Sequence, residues 1–220
     1  MPKRFPEWIN SEVVIAGPKI IDSKGLLHSS CFSFDPISIF LKPLRHIRYI
    51  GKFTKVIPEY KAFKKRIDRI TYEGIDKTKP SYVDWVSGCC FLVKRSFLKE
   101  CGGFDERFFV YFEEVDLSKR IKTFGFKSMF FAKCNAYHVG GGVSQQVKAK
   151  RLFYSLRSRI LYSRKHFNFF SYLFVYFLSL IVEPFSRIVF SLARFKFKEI
   201  LETISAYKLL FSWSLKKEKP

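Results

Sequence analysis

The chain has 220 residues, 48% of them hydrophobic, with 40 Lys and Arg against 19 Asp and Glu and a net charge of +21. This length suits one medium domain with an appendage, or two small domains, and the apolar content excludes wholesale disorder. The charge points to an anionic partner, whether nucleic acid, an acidic membrane surface or phosphorylated substrates, without choosing among them. Five cysteines (Cys31, Cys89, Cys90, Cys101, Cys134) show no CxxC spacing, and the opening MPKRFPEWIN contains no apolar core segment. Reduced thiols in a cytosolic setting are therefore expected.

In chain order, Val13–Ile15 is a β-branched run that predicts a strand, stopped by Gly17-Pro18; Ile20-Ile21 then predicts a second strand, and Asp22 to Gly25 a turn. From Pro43 to Lys79 the basic, Pro- and Lys-rich sequence reads as a long surface loop or insertion. The run Cys89 to Val93 predicts a strand, and Arg95 to Glu100 a short helix closed by Gly102-Gly103. Leu117, Ile121 and Phe124 recur at helical spacing, with Gly125 as the stop and Ser128 to Phe131 as a further strand. AYHVGGGVSQQ reads as a glycine-rich loop that carries His138.

The C-terminal part differs in kind. AKRLFYSLRSRILYSRKHF predicts a basic amphipathic helix, and His166 to Val182 is then 17 residues without Asp, Glu, Lys or Arg, closed by Glu183-Pro184. That length is at the bottom of the range for a membrane span, about 17 to 25 residues. The segment that follows alternates apolar and basic positions at helical spacing, the pattern of a helix lying in a bilayer interface. Residues 147–220 hold 15 Lys and Arg against 4 Asp and Glu, so the charge excess and the apolar excess coincide, which favours a membrane over nucleic acid. No nucleic-acid motif accompanies the charge, and no nucleic-acid partner is expected.

One stretch is anomalous in so basic a chain: FFVYFEEVDLSKRI, where four of the five residues Phe108 to Phe112 are aromatic and Glu113, Glu114 and Asp116 follow at once. Taken alone, the acids suit the positive end of a helix dipole. Taken alone, His138 reads as an ordinary loop histidine and Trp85 as a core aromatic or a binding one with equal weight. The VGGG that follows His138 matches no phosphate-binding fingerprint.

The order of these signals carries more than each one does. DWVSG, then GGFDERFFVYFEEVDL, then YHVGGG, then a basic amphipathic tail resembles the C-terminal half of bacterial family-2 inverting glycosyltransferases. The likeness is to the rhamnosyltransferase-like enzymes that build O-antigen and other surface polysaccharides, and it runs from about Val13 to Phe167. The resemblance implies an α/β architecture: a partial A-type nucleotide-diphospho-sugar transferase fold over 1–146, followed by membrane-associating helices over 147–220. Members of that family begin with a nucleotide-binding half that contains a DxD motif, and no two Asp here are separated by one residue. The chain is accordingly expected to be the acceptor-side part of such an enzyme.

What the resemblance implies for chemistry is specific. The partners would be a nucleotide-sugar donor, a lipid-linked or saccharide acceptor and an anionic membrane surface, at the cytoplasmic face of the cell membrane. An inverting transferase needs a carboxylate to take the acceptor proton, and nearby aromatic rings raise that carboxylate's basicity. By the resemblance Glu114 is the base, in a position where the family usually has Asp; Glu113 is its neighbour in the acidic pair, and Asp116 orients the helix start or the acceptor. Asp84, Trp85 and Gly88 fall on the acceptor side, and Arg157 or Arg159 would add charge at the diphosphate. His138 resembles the histidine that helps hold a divalent metal, Mn²⁺ or Mg²⁺, on the nucleotide diphosphate. The alternative is a non-catalytic, membrane-associated subunit or remnant that keeps the acceptor platform.

Overall fold

The computed structural model describes residues 12–23, 25, 31–32, 76, 78–139 and 147–215. The expected loop from Pro43 to Lys79 lies almost wholly outside the described residues. Two compact units divide the chain, one drawn from residues 1–34, 68–106 and 112–140, the other from 35–67, 107–111 and 141–220.

The first unit is a mixed α/β layer. Its strands are β1 (Val13–Ile21), β2 (Cys31–Phe32), β3 (Ser81–Val83), β4 (Trp85–Val86), β5 (Leu92–Val93) and β6 (Lys127–Tyr137), with helices α1 (Arg95–Glu100) and α2 (Glu113–Thr123). Four strands form a sheet in the order β3-β6-β1-β5, in which β1 and β6 run parallel and the outer pairs antiparallel. β2 and β4 pair separately. Val14 and Ile15 of β1, Val86, Phe97 of α1, and Leu117 and Ile121 of α2 make one buried cluster. Phe97 meets the Phe126 ring edge-on at 4.5 Å, a favoured aromatic geometry.

Two glycine signals work as the sequence suggests. Gly102 and Gly103 have φ of 80° and 73°, and the Gly103 N–H closes α1 by donating to Leu98 O at 2.8 Å. Gly125, at φ 83°, ends α2, where the Phe126 N–H donates to Ile121 O. Both are the left-handed turns that glycine makes without a Cβ penalty. Phe124, expected on the buried stripe of α2, is 57% exposed.

Three boundaries differ from expectation. β1 runs unbroken through Gly17-Pro18, and the register against β6 shifts between Pro18 and Lys19. β5 covers only Ile15 and Ala16, so Pro18 sits at a bulge and past the end of one neighbour, the settings in which a strand tolerates proline. The strand expected from Cys89 is only Leu92–Val93, because Ser87, Gly88, Cys89 and Cys90 turn instead: the Ser87 hydroxyl accepts from the Cys89 N–H at 3.4 Å. β6 extends well past Phe131, to Tyr137.

The second unit is helical: α3 (Lys148–His166), α4 (Phe169–Phe177), a π turn (Leu178–Val182), α5 (Glu183–Leu192) and α6 (Phe197–Leu215). Asn168 caps α4 by accepting from the Ser171 N–H at 2.8 Å. Leu156 and Ile160 of α3 are buried with Tyr207 and Leu210 of α6, and Tyr172, Tyr176 and Leu180 pack against them. The helix does not stop at Glu183-Pro184: it continues from Phe169 to Leu192, 24 residues, long and apolar enough to cross a membrane by length and composition. The wider π turn just ahead of Pro184 accommodates a ring that would crowd the preceding turn and lacks an N–H to bond to it.

The close approach of Val86 to Gly17 yields a test. A Cβ on Gly17 would lie 2.6 Å from Val86 Cβ, closer than packed atoms come. Gly17→Ala is therefore expected to lower stability by about 1–3 kcal/mol through overpacking. Urea unfolding checks this; an unchanged midpoint would show that β1 and β4 separate freely.

Candidate active site

The acidic segment enters α2 through unusual backbone. Tyr111 and Phe112 have φ of 68° and 70°, two successive non-glycine residues in the left-handed region. Such conformations cost about 1–3 kcal/mol each and persist where the surroundings enforce them, often at functional sites. The turn delivers Glu113 and Glu114 as the first two residues of α2, where Phe112 is the N-cap and offers no side-chain cap. Phe108 and Phe112 are buried while Phe109 is 71% exposed, so the aromatic run is not a single exposed wall. Phe108 to Tyr111 group with the helical unit, in which the Val110 carbonyl accepts from Ser158 Oγ at 2.9 Å and the Phe109 ring packs on Tyr154.

Glu114 and Gly88 are brought together. A Cβ on Gly88 would lie 3.2 Å from both Cδ and Oε1 of Glu114, so the carboxylate rests on the bare Cα of the WVSG turn. Glycine is what permits that approach. Glu113 is half-buried, and its Oε2 is enclosed without a hydrogen-bond partner among the described residues. Burial pushes its carboxyl up from the ordinary glutamate value, against the weaker opposing pull of its own backbone N–H.

Asp116 has a different position from its neighbours. It is fully buried and accepts from Arg120 Nε at 2.8 Å. The same guanidinium donates to the carbonyls of Cys101 and Gly103, each at 2.6 Å. The aspartate thus holds Arg120, and Arg120 holds the glycine turn that follows α1. An acceptor would have no access to the Asp116 side chain, which has no exposed surface. Asp84 is bound by Lys122 Nζ of α2 at 2.5 Å, which fastens the DWVSG segment to the same helix. Trp85 is half-buried, in β4 opposite Phe32. Sequence reasoning passed over Arg120 and Lys122; their signal was i,i+4 spacing from Asp116 for the first, and none for the second.

The remaining expected site residues lie on other elements. His138 is exposed just beyond β6, its N–H donating to Ile21 O at 2.9 Å, at the carboxyl ends of the parallel pair β1 and β6. Ligands of open α/β sheets commonly bind there. Among the described residues no group of three or more His, Cys, Asp or Glu forms, so His138 by itself does not constitute a metal site and no step below runs through a metal. Arg159 is not available for a diphosphate: it is 3% exposed, and its guanidinium is ion-paired with Glu183 at 2.6 Å inside the helical unit. Arg157 lies over the Trp213 ring, 5.3 Å from its centre.

No family model matches the chain. It is 45% identical over 56 residues, 26% of its length, to an N-acetylglucosaminyl-diphospho-decaprenol L-rhamnosyltransferase of Mycobacterium tuberculosis strain CDC 1551 / Oshkosh, and equally to that of strain ATCC 25618 / H37Rv. It is 20% identical over 157 residues, 70% of its length, to the rhamnosyltransferase WbbL of Escherichia coli K12. These similarities support a glycosyltransferase family, and the mixed α/β unit fits a glycosyltransferase-like fold. The matched stretch spans 18% of the mycobacterial protein and 60% of WbbL.

The raised Glu113 carboxyl makes a signed prediction. A carboxyl whose proton affinity is higher in the folded state opposes folding when ionised, fully above its raised value and not at all below the ordinary glutamate range. Glu113→Gln should therefore raise the urea midpoint at pH 7, and the gain should vanish as the pH falls into that range. A loss of stability at pH 7 would mean that the ionised carboxylate is held by favourable contacts.

Proposed function

We propose that this chain carries the acceptor side of an inverting glycosyltransferase of surface polysaccharide synthesis. The sugar, L-rhamnose by analogy with the relatives, moves from a nucleotide-sugar donor to a lipid-linked or saccharide acceptor at the cytoplasmic face of the membrane. The observation that carries this reading is the Glu114 carboxylate, set at the start of α2 on the Cα of Gly88. The acceptor hydroxyl binds beside the Asp84–Gly88 segment, and Glu114 accepts its proton. The acceptor oxygen then forms a bond to the anomeric carbon as the bond to the nucleoside diphosphate breaks, and the diphosphate leaves with that electron pair. A single displacement of this kind inverts the anomeric centre.

Two local features support the base role. The enclosed Glu113 beside it, with its raised proton affinity, indicates a setting of reduced solvation at the acidic pair. The strain at Tyr111 and Phe112 fixes where the pair begins. A divalent metal held in part by His138 would supply Lewis-acid neutralisation of the leaving diphosphate. Arg157 is kept as a secondary candidate for the diphosphate; Arg159 is not.

The test uses the natively encoded protein with nucleotide-activated L-rhamnose and N-acetylglucosaminyl-diphospho-polyprenol. Glu114→Gln should lower turnover by about 10²–10⁴, the usual worth of a general base, with donor affinity nearly unchanged. Glu113→Gln should be the milder change. Turnover at the wild-type level in Glu114→Gln would remove that residue from the base role, and absence of donor binding in the wild-type protein would favour the platform reading. Membrane attachment is tested separately by co-sedimentation with anionic and neutral vesicles. Binding should be stronger to the anionic ones and only partly lost at 1 M salt, where the Debye length is ~3 Å. A chain that stays in solution with both would contradict the membrane location.

A further inference from the structure

The apolar helix from Phe169 to Leu192 has two unlike faces. Phe170, Leu173, Phe174, Phe177, Ile181 and Phe185 are all between 47% and 81% exposed and recur at i, i+3, i+4, i+7, i+11 and i+15, a single stripe. The opposite face is buried and partly polar: Ser179, Glu183, Ser186 and Ser191 lie there with Val175, Leu178 and Phe190. Glu183 accepts from Arg159 of α3 and from Arg187, each at 2.6 Å. Tyr207 of α6 donates to Ser179 O at 2.6 Å.

These contacts decide how the helix meets a bilayer. Tyr172, Tyr176 and Leu180 pack against the cluster that holds Leu156 and Ile160, and Arg159 reaches Glu183, so α3 lies alongside the same stretch that would span. α3 carries Arg151 and Arg164 as exposed cations near its ends and Arg157 and Arg159 between them. At 1.5 Å per residue the interval from Arg151 to Arg164 is about 20 Å, short of the ~30 Å hydrocarbon core. Were the apolar helix to cross, α3 would bring cations into the core, where they are expensive even with snorkelling. Length and hydropathy permit a span; the neighbours of the helix do not.

We infer that this helix lies in the plane of an anionic lipid surface as a one-sided anchor, with its Phe- and Leu-rich stripe in the acyl boundary and its polar face closed by α3 and α6. This deepens the membrane location proposed above and rests on it. Charge complementarity selects the occupant: residues 147–220 hold 15 Lys and Arg against 4 Asp and Glu, and Arg194, Lys196 and Lys198 follow the end of the apolar helix, the first two beside Glu199. Lipid phosphates attract such cations while the stripe enters the acyl layer, the two terms that hold interfacial helices.

A span would put the two ends of the helix on opposite sides of the membrane, and an in-plane helix keeps them on one. Arg164→Cys and Lys196→Cys in the full chain, bound to the outside of sealed phosphatidylcholine–phosphatidylglycerol vesicles, are treated with a membrane-impermeant maleimide, and peptide mass mapping separates these sites from the native cysteines. Both sites should react to equal extent. Reaction at one alone means a span and overturns the inference, although the membrane location would survive. A second variant, Phe174→Glu, should lower vesicle affinity at least tenfold with unchanged helical circular dichroism; unchanged affinity would show that the stripe is not the lipid contact. A stable dimer in lipid-free solution that Phe174→Glu dissociates would assign the stripe to a second copy of the chain, and failure of the wild-type chain to bind vesicles would overturn the membrane location and this inference together.

Discussion

Arg120 holds together what the candidate site requires. One guanidinium satisfies the buried Asp116 one turn earlier in α2 and the carbonyls of Cys101 and Gly103 in the turn after α1. Removing one partner of such a buried pair typically costs about 3–5 kcal/mol, because the other charge is left uncompensated. The geometric consequence matters more than the energy. The glycine turn that leads into GGFDE and the helix that begins with the acidic pair are locked to each other, and Lys122 fastens the DWVSG segment to the same helix through Asp84. Glu114 keeps its seat on Gly88 because both sides of that contact are tied to α2.

The acidic cluster therefore divides its labour. Three acids in the first turn all gain from the helix dipole, which stabilises each by roughly 0.3–1 kcal/mol at an exposed site. Their surroundings then separate them: Asp116 is neutralised by Arg120, while Glu113 and Glu114 each have an enclosed Oε2 and Glu114 faces the WVSG turn. Two carboxylates side by side, Glu114 against a glycine and Glu113 with its proton affinity raised by burial, are costly as structure. The left-handed Tyr111 and Phe112 add strain at the same place.

Local signals were legible where a residue's own backbone preference decides. Gly102-Gly103 and Gly125 announced two helix ends because only glycine adopts those turns without penalty, and the spacing of Leu117 and Ile121 announced the buried face of α2. The signal failed where a neighbour overrode it. Gly17-Pro18 reads as a strand breaker, yet Gly17 leaves room for Val86 where a Cβ would clash, and Pro18 sits at a register shift. Glu183-Pro184 reads as a helix stop, yet Glu183 is enclosed between two arginines and the preceding π turn accommodates the proline. The acidic pair itself was legible, and its contact with Gly88, 26 positions earlier, was not, since nothing in periodicity relates the two. Arg159 misled for a related reason: a cation in a basic helix looks available until its buried partner is known.

The central claim is a single-displacement transfer assisted by one carboxylate base, and the anomeric configuration of the product tests it most directly. With a nucleotide-sugar donor of known configuration, the one-bond carbon–hydrogen coupling at the anomeric centre of the newly formed linkage reports the outcome by NMR. The account predicts the configuration opposite to that of the donor. Retention would contradict it, because a retained centre requires a double displacement or a front-face path in which Glu114 does not act as the base described here.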